Sequence, residues 1–141
     1  MRALSSSLLV LLALAGCSDL GSVPYDGLSA ATQKSSYAVN ETITFIISND
    51  GSRGVFLASC CVDAAFYIDR YENGRWAQTG TNGIPCLRAC PSVSIILSPQ
   101  TRFVGSTNLQ EQGMYRFRFP YGFSFAQDMA REVPSNEFSI R

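Results

Sequence analysis

Apolar and polar residues alternate with a period of two through most of the chain beyond residue 40. Thr42 to Ser48 puts Ile43, Phe45 and Ile47 on one side of a strand and Thr44, Ile46 and Ser48 on the other. Asn49-Asp50-Gly51-Ser52 turns the chain. Val55 to Ala58 is a short apolar run ahead of Cys60-Cys61, and Ala64 to Tyr71 resumes the alternation with Ala64, Phe66 and Ile68 on one face. Asn73-Gly74 then stands between Tyr71-Glu72 and Arg75-Trp76, the signature of a type I′ hairpin pairing Glu72 with Arg75 and Tyr71 with Trp76.

Thr79 to Pro91 reads as a turn-rich loop, Val93 to Leu97 and Arg102 to Thr107 as strands around Ser98-Pro99-Gln100, and Glu137 to Arg141 as a closing strand with Phe138 and Ile140 together. The cleanest strand is Met114 to Phe119. It sends Tyr115, Phe117 and Phe119 into a core and Met114, Arg116 and Arg118 to water. With Leu28 to Thr32 as a first strand, seven to nine short strands result, and the only helical pattern is a turn or two within Phe125 to Glu132. The fold class is therefore all-β, an antiparallel sandwich, with a closed barrel as the alternative.

The first residues follow another pattern. Arg2 precedes a segment, Leu4 to Ala15, that is apolar apart from Ser5, Ser6 and Ser7. It is far shorter than the ~20 residues a spanning helix needs, which marks it as an export leader. Leu14-Ala15-Gly16-Cys17 resembles the bacterial lipoprotein signal: an aliphatic residue, two small ones and a cysteine. The resemblance implies cleavage before Cys17 and acylation of that residue. Ser18 in the next position favours the outer over the inner membrane, with Asp19 acting against this. Residues 1–16 are then leader, 17–27 the lipidated cysteine and a tether, and 28–141 one domain, large enough to bury about two-thirds of its unfolded surface. With Arg2 gone, ten basic residues face eleven acidic ones, a balance that gives no reason to expect nucleic acid.

Four cysteines remain after Cys17. An even number in an exported chain predicts two disulfides among Cys60, Cys61, Cys86 and Cys90. A Cys60–Cys61 bond would strain a small ring, so each residue of the first pair is expected to join one of the second. Nested pairing, Cys60 with Cys90 and Cys61 with Cys86, suits antiparallel chains better than the crossed arrangement. A zinc site fits these spacings poorly, and no metal or other cofactor is expected.

The strands so placed resemble the immunoglobulin-like bacterial domains related to the intracellular proteinase inhibitor family. The likeness lies in Tyr37-Ala38-Val39-Asn40-Glu41 before the Ile43 strand, Asn73-Gly74-Arg75-Trp76 followed by Cys86, Leu97-Ser98-Pro99, Gly113-Met114-Tyr115-Arg116-Phe117 and Ser135-Asn136-Glu137-Phe138. Glu111-x-Gly113-x-Tyr115 is similar to the tyrosine corner of immunoglobulin folds. Phe117 stands where antibody domains carry a cysteine, so their inter-sheet disulfide is absent. The resemblance implies architecture more than activity.

No histidine is present, which removes Ser-His-Asp and Cys-His nucleophile pairs. The carboxylates Asp63, Asp69, Glu72, Asp128 and Glu132 are scattered along the chain and read as solvated, and Lys34 lies in a polar stretch. Catalytic residues are not expected. Two stretches could carry recognition instead. Ile84 to Pro91 presents Leu87 and Arg88 in a loop pinned by cysteines and prolines, and Pro120 to Phe125 carries Tyr121, Phe123 and Phe125. The function expected is a non-enzymatic module, anchored to the bilayer through Cys17, that contacts an envelope or surface protein. The alternative is a protease inhibitor acting through the 84–91 loop. Radiolabelled palmitate should enter the wild-type protein and not Cys17→Ser; equal labelling of both would refute the anchor.

Overall fold

The computed structural model describes residues 27–86, 94–124 and 129–141. Among them lie thirteen strands and no helix. A three-stranded sheet has β1 (Leu28–Thr32) and β10 (Thr101–Thr107) on either side of β3 (Ile43–Asn49). A larger sheet is built on β11 (Gly113–Gly122), which is long enough to take two partners along each edge. On one edge β13 (Phe138–Ile140) pairs with Gly113 to Tyr115 and β12 (Arg131–Pro134) with Arg118 to Tyr121. On the other, β7 (Phe66–Glu72) pairs with Tyr115 to Arg118 and β4 (Val55–Leu57) with Tyr121 and Gly122. Outside these lie β2 (Ser36–Tyr37) on β13, β8 (Arg75–Asn82) on β7 and β9 (Ile95–Leu97) on β4. A small hairpin joins β5 (Ser59–Cys60) to β6 (Asp63–Ala64).

The sheets face each other as a sandwich, and aromatic rings make the contact. Phe45 of the small sheet lies 5.3 Å from Phe66, 6.0 Å from Phe117 and 5.0 Å from Phe119, centroid to centroid, all three on the large sheet. Such pairs stabilise beyond the area they bury. Gly105 sits opposite Phe45 on β10, where a Cβ would fall 2.4 Å from the Phe45 ring. The ring thus occupies space that only glycine leaves open. Asn49, wholly buried, ties the sheets at one end by donating to the carbonyls of Arg53 and Leu97 at 2.7 and 2.9 Å. Ser135 fills the step between β12 and β13, since its N–H donates to the Phe117 carbonyl and its hydroxyl accepts from the Phe117 N–H.

The sequence-derived strands recur with shifted ends. Asn73 and Gly74 both take positive φ, 51° and 81°, as the type I′ turn requires, and Tyr71 meets Trp76 at 5.2 Å. The Tyr115 hydroxyl donates to the Glu111 carbonyl at 3.1 Å, forming the tyrosine corner, and burial raises its pKa above the usual phenol value. Arg70 braces this corner through Glu111 and the Gln112 carbonyl. Other expectations are corrected. Arg131 and Glu132, the end of the expected helical turn, instead begin β12, because β11 offers them backbone partners, while residues 125–128 of that turn lie outside the described residues. β8 continues to Asn82 through residues expected to be loop, pairing Phe66 with Asn82.

Pairing of the cysteines also departs from the nested expectation. Cys60 bonds Cys86, not Cys90, across a Cα–Cα distance of 5.2 Å. The reason is local. The β5–β6 hairpin turns Cys60 inward against Gly83, where an added Cβ would stand 2.8 Å from the Cys60 Cβ, so the chain leaving β8 passes directly over it. Cys61 is not a free thiol, and Cys90 lies outside the described residues, so one bridge is described where two are expected.

Urea denaturation should show Phe117→Ala losing about 3–5 kcal/mol by emptying the aromatic core. Gly105→Ala should lose about 1–3 kcal/mol by displacing the Phe45 ring, and Tyr115→Phe about 0.5–1.5 kcal/mol through one hydrogen bond. A Gly105→Ala chain as stable as wild type would mean that Phe45 does not depend on the space at residue 105.

Candidate binding surface

The residues singled out in the sequence lie apart. Leu87, Arg88 and Phe125 fall outside the described residues, as does Cys17. Tyr121 is 1% exposed and belongs to the core, because β11 runs three residues beyond the expected end at Phe119. It is therefore no binding residue. Phe123 is half-buried against the same core, with the Arg53 guanidinium 4.2 Å and the Arg131 guanidinium 5.1 Å from its ring centroid.

A better-organised surface covers the outer face of the large sheet. Strand alternation that buries Phe66, Phe117 and Phe119 sends Tyr67, Asp69 and Tyr71 of β7 and Arg116 and Arg118 of β11 to the opposite side, beside Trp76 and Gln78 of β8. Arg116 and Arg118 were expected to be solvated; instead each is largely covered. Their Nε atoms both donate to Asp69 Oδ2, at 3.0 and 2.8 Å. Arg118 also bonds Glu132 of β12 and donates to Gln78 Oε1 at 3.0 Å. The two guanidiniums lie over aromatic rings, Arg116 4.6 Å from Trp76 and Arg118 5.0 Å from Tyr67.

The electrostatics follow from this stacking. Asp69 is only 3% exposed under the two cations, and its Oδ1 is buried with no hydrogen-bond partner among the described residues. Burial works against the charge on Arg118, but hydrogen bonds to Asp69 and Glu132 outweigh it and raise its pKa. Ionised groups are thus fixed in place by partners from three strands. Beyond them Tyr71 and Met114 stay 46% and 44% exposed, and Trp76 is partly exposed. Trp, Tyr and Arg are the residue types that dominate binding energy at protein interfaces, and here they are held rigid before any partner arrives. Sequence reading missed the face, since nothing in the local pattern joins Asp69 to arginines 47 and 49 positions away.

No protein-family model matches the chain, and no curated protein matches it. Several solved structures are distantly similar to it at low identity. Among them are a superoxide reductase (neelaredoxin) from Ignicoccus hospitalis, 9% identical over 80% of each chain with a TM-score of 0.39, and the CARDB domain of the PF1109 protein from Pyrococcus furiosus, 14% identical over 81% of this chain and 87% of that one with a TM-score of 0.38. A PapD-like domain of human CEP192 is 13% identical over 99% of this chain and 94% of that one, with a TM-score of 0.32. Likenesses this distant say nothing about function.

Proposed function

We propose that the chain is a non-enzymatic binding module of the bacterial envelope, anchored through acylated Cys17 with preference for the outer membrane, that contacts another envelope or surface protein. The observation that carries this reading is the preorganised arginine–aromatic face of the large sheet, in which Asp69 holds Arg116 and Arg118 over Trp76 and Tyr67. A partner meeting this face immobilises few side chains, because ion pairs and ring contacts already fix them. The cost of association is lowered accordingly. The leader and the Leu14 to Cys17 motif supply the anchor, since one acyl chain holds a protein only weakly and stable attachment needs more than one.

Cross-linking in cells that produce the tagged full chain, followed by mass spectrometry, tests the reading. Trp76→Ala and Tyr71→Ala should each reduce recovery of the partner about tenfold, equivalent to about 1.4 kcal/mol, while Val62→Ala, on the β5–β6 hairpin, leaves recovery unchanged. Equal recovery from all variants would place the contact elsewhere. Rigidity of the face has its own measure. Asp69→Ala leaves two largely covered cations without their shared anion and should cost about 3–5 kcal/mol in urea denaturation, whereas Arg116→Ala, which leaves Asp69 one arginine, should cost less.

A further inference from the structure

We propose that the partner brings a carboxylate side chain to the two terminal nitrogens of Arg116, beside apolar residues that rest on Trp76, Tyr71 and Met114. This rests on the arginine–aromatic face being the contact surface, and it names what that face recognises: an acidic segment of a protein. Three arginines of the large sheet differ in the hydrogen bonds they have left to give. Arg118 spends every nitrogen of its guanidinium, Nε on Asp69, Nη1 on Glu132 and Nη2 on Gln78. Arg70 does the same, with Nε 3.4 Å from Glu72, Nη1 on Glu111 and Nη2 on the Gln112 carbonyl. Arg116 does not. Its Nε donates to Asp69, while Nη1 and Nη2 have no acceptor among the described residues.

Two contacts hold Arg116 in place while leaving that end of it open. Its Nε is fixed by the 3.0 Å bond to Asp69, and its guanidinium lies 4.6 Å from the Trp76 ring, yet 29% of the side chain stays exposed. With Nε and one face of the plane committed, the paired terminal nitrogens remain, and their spacing matches the two oxygens of a carboxylate. An exposed ion pair ordinarily contributes little, because two long side chains must be immobilised to form it. Here one of the two is already immobile, so the partner's carboxylate has only itself to order. The chain's own carboxylates are engaged elsewhere. Asp69 Oδ2 is shared with Arg118, Glu132 is bonded to Arg118, and Glu72 and Glu111 hold Arg70.

The surroundings of the fork are apolar. Met114 emerges on the same face two residues along β11, and Tyr71 lies two residues along β7 from Asp69, the register partner of Arg116. Tyr71 in turn pairs with Trp76 on β8. Met114 and Tyr71 are 44% and 46% exposed, so apolar side chains flanking the carboxylate have a surface to cover. Covering it excludes water from the fork, and hydrogen bonds strengthen where water is excluded. A carboxylate suits the site better than a phosphate. It carries one charge and two coplanar oxygens, which one guanidinium satisfies, whereas a doubly charged phosphate would call on neighbouring arginines that already hold carboxylates.

An aliphatic diazirine residue in place of Met114, introduced in cells that produce the tagged full chain, tests this. Arg116→Gln should lower recovery of the cross-linked partner about tenfold, equivalent to about 1.4 kcal/mol. Arg116→Lys, which keeps the charge without the fork, should lower it severalfold, and the thermal midpoints of both variants should stay near wild type. The partner peptide joined to position 114 should contain Asp or Glu. Changing that residue to its amide, which leaves this chain unaltered, should cause the same loss as Arg116→Gln, with no further loss when the two are combined. Recovery unchanged by Arg116→Gln but lost with Trp76→Ala would keep the face and overturn the carboxylate. Recovery unchanged by either would remove the face, and the carboxylate with it. A linked peptide without an acidic residue, one phosphorylated at the linked site, or losses that add would each overturn the proposal as well.

Discussion

Phe45 reaches three rings of the opposite sheet only because residue 105, its neighbour across the ladder, has no side chain. Two sheets packed face to face need side chains long enough to cross about 10 Å between backbones, and a ring leaning over a glycine crosses that gap while staying within its own strand's register. The other elements conform to this contact. β11 must present Phe117 and Phe119 on the same side, β7 must bring Phe66 beside them, and the outer faces of both strands are then determined.

What determines the outer face is therefore the core beneath it. Once Phe117 and Phe119 point inward, Arg116 and Arg118 emerge two residues apart on one side, at a spacing that a single carboxylate can bridge. Asp69 lies opposite Arg116 in the β7 register and accepts from both. Two cations held this close would repel one another if they were alone; Asp69 and Glu132 together balance them, while Trp76 and Tyr67 shield them from water. The result is a rigid surface made from side chains that are usually mobile.

Legibility of these features from sequence depended on their range. The Asn73-Gly74 turn and the alternation from Met114 to Phe119 are local, and their geometry is dictated by φ angles and pleat. The tyrosine corner spans four residues and could be read from Glu111-x-Gly113-x-Tyr115. By contrast, β12 exists because a long neighbour supplies partners, and the choice of Cys86 over Cys90 turns on a close approach at Gly83. The outward-facing alternation of Arg116 and Arg118 was legible, but their coverage was not, since burial there comes from strands some forty to fifty positions distant.

The Cys60–Cys86 bond closes a covalent ring around β6, β7 and the whole of β8, and that ring contains Tyr67, Asp69, Tyr71, Trp76 and Gln78. Within it the Asn73-Gly74 turn is exposed, with nothing within 4 Å of where a Gly74 Cβ would stand, and it offers a protease an accessible stretch of backbone. A cut there would not release a fragment. The two pieces would stay joined through sulfur and through the β7–β8 ladder, so that a nicked molecule retains both halves of its aromatic face.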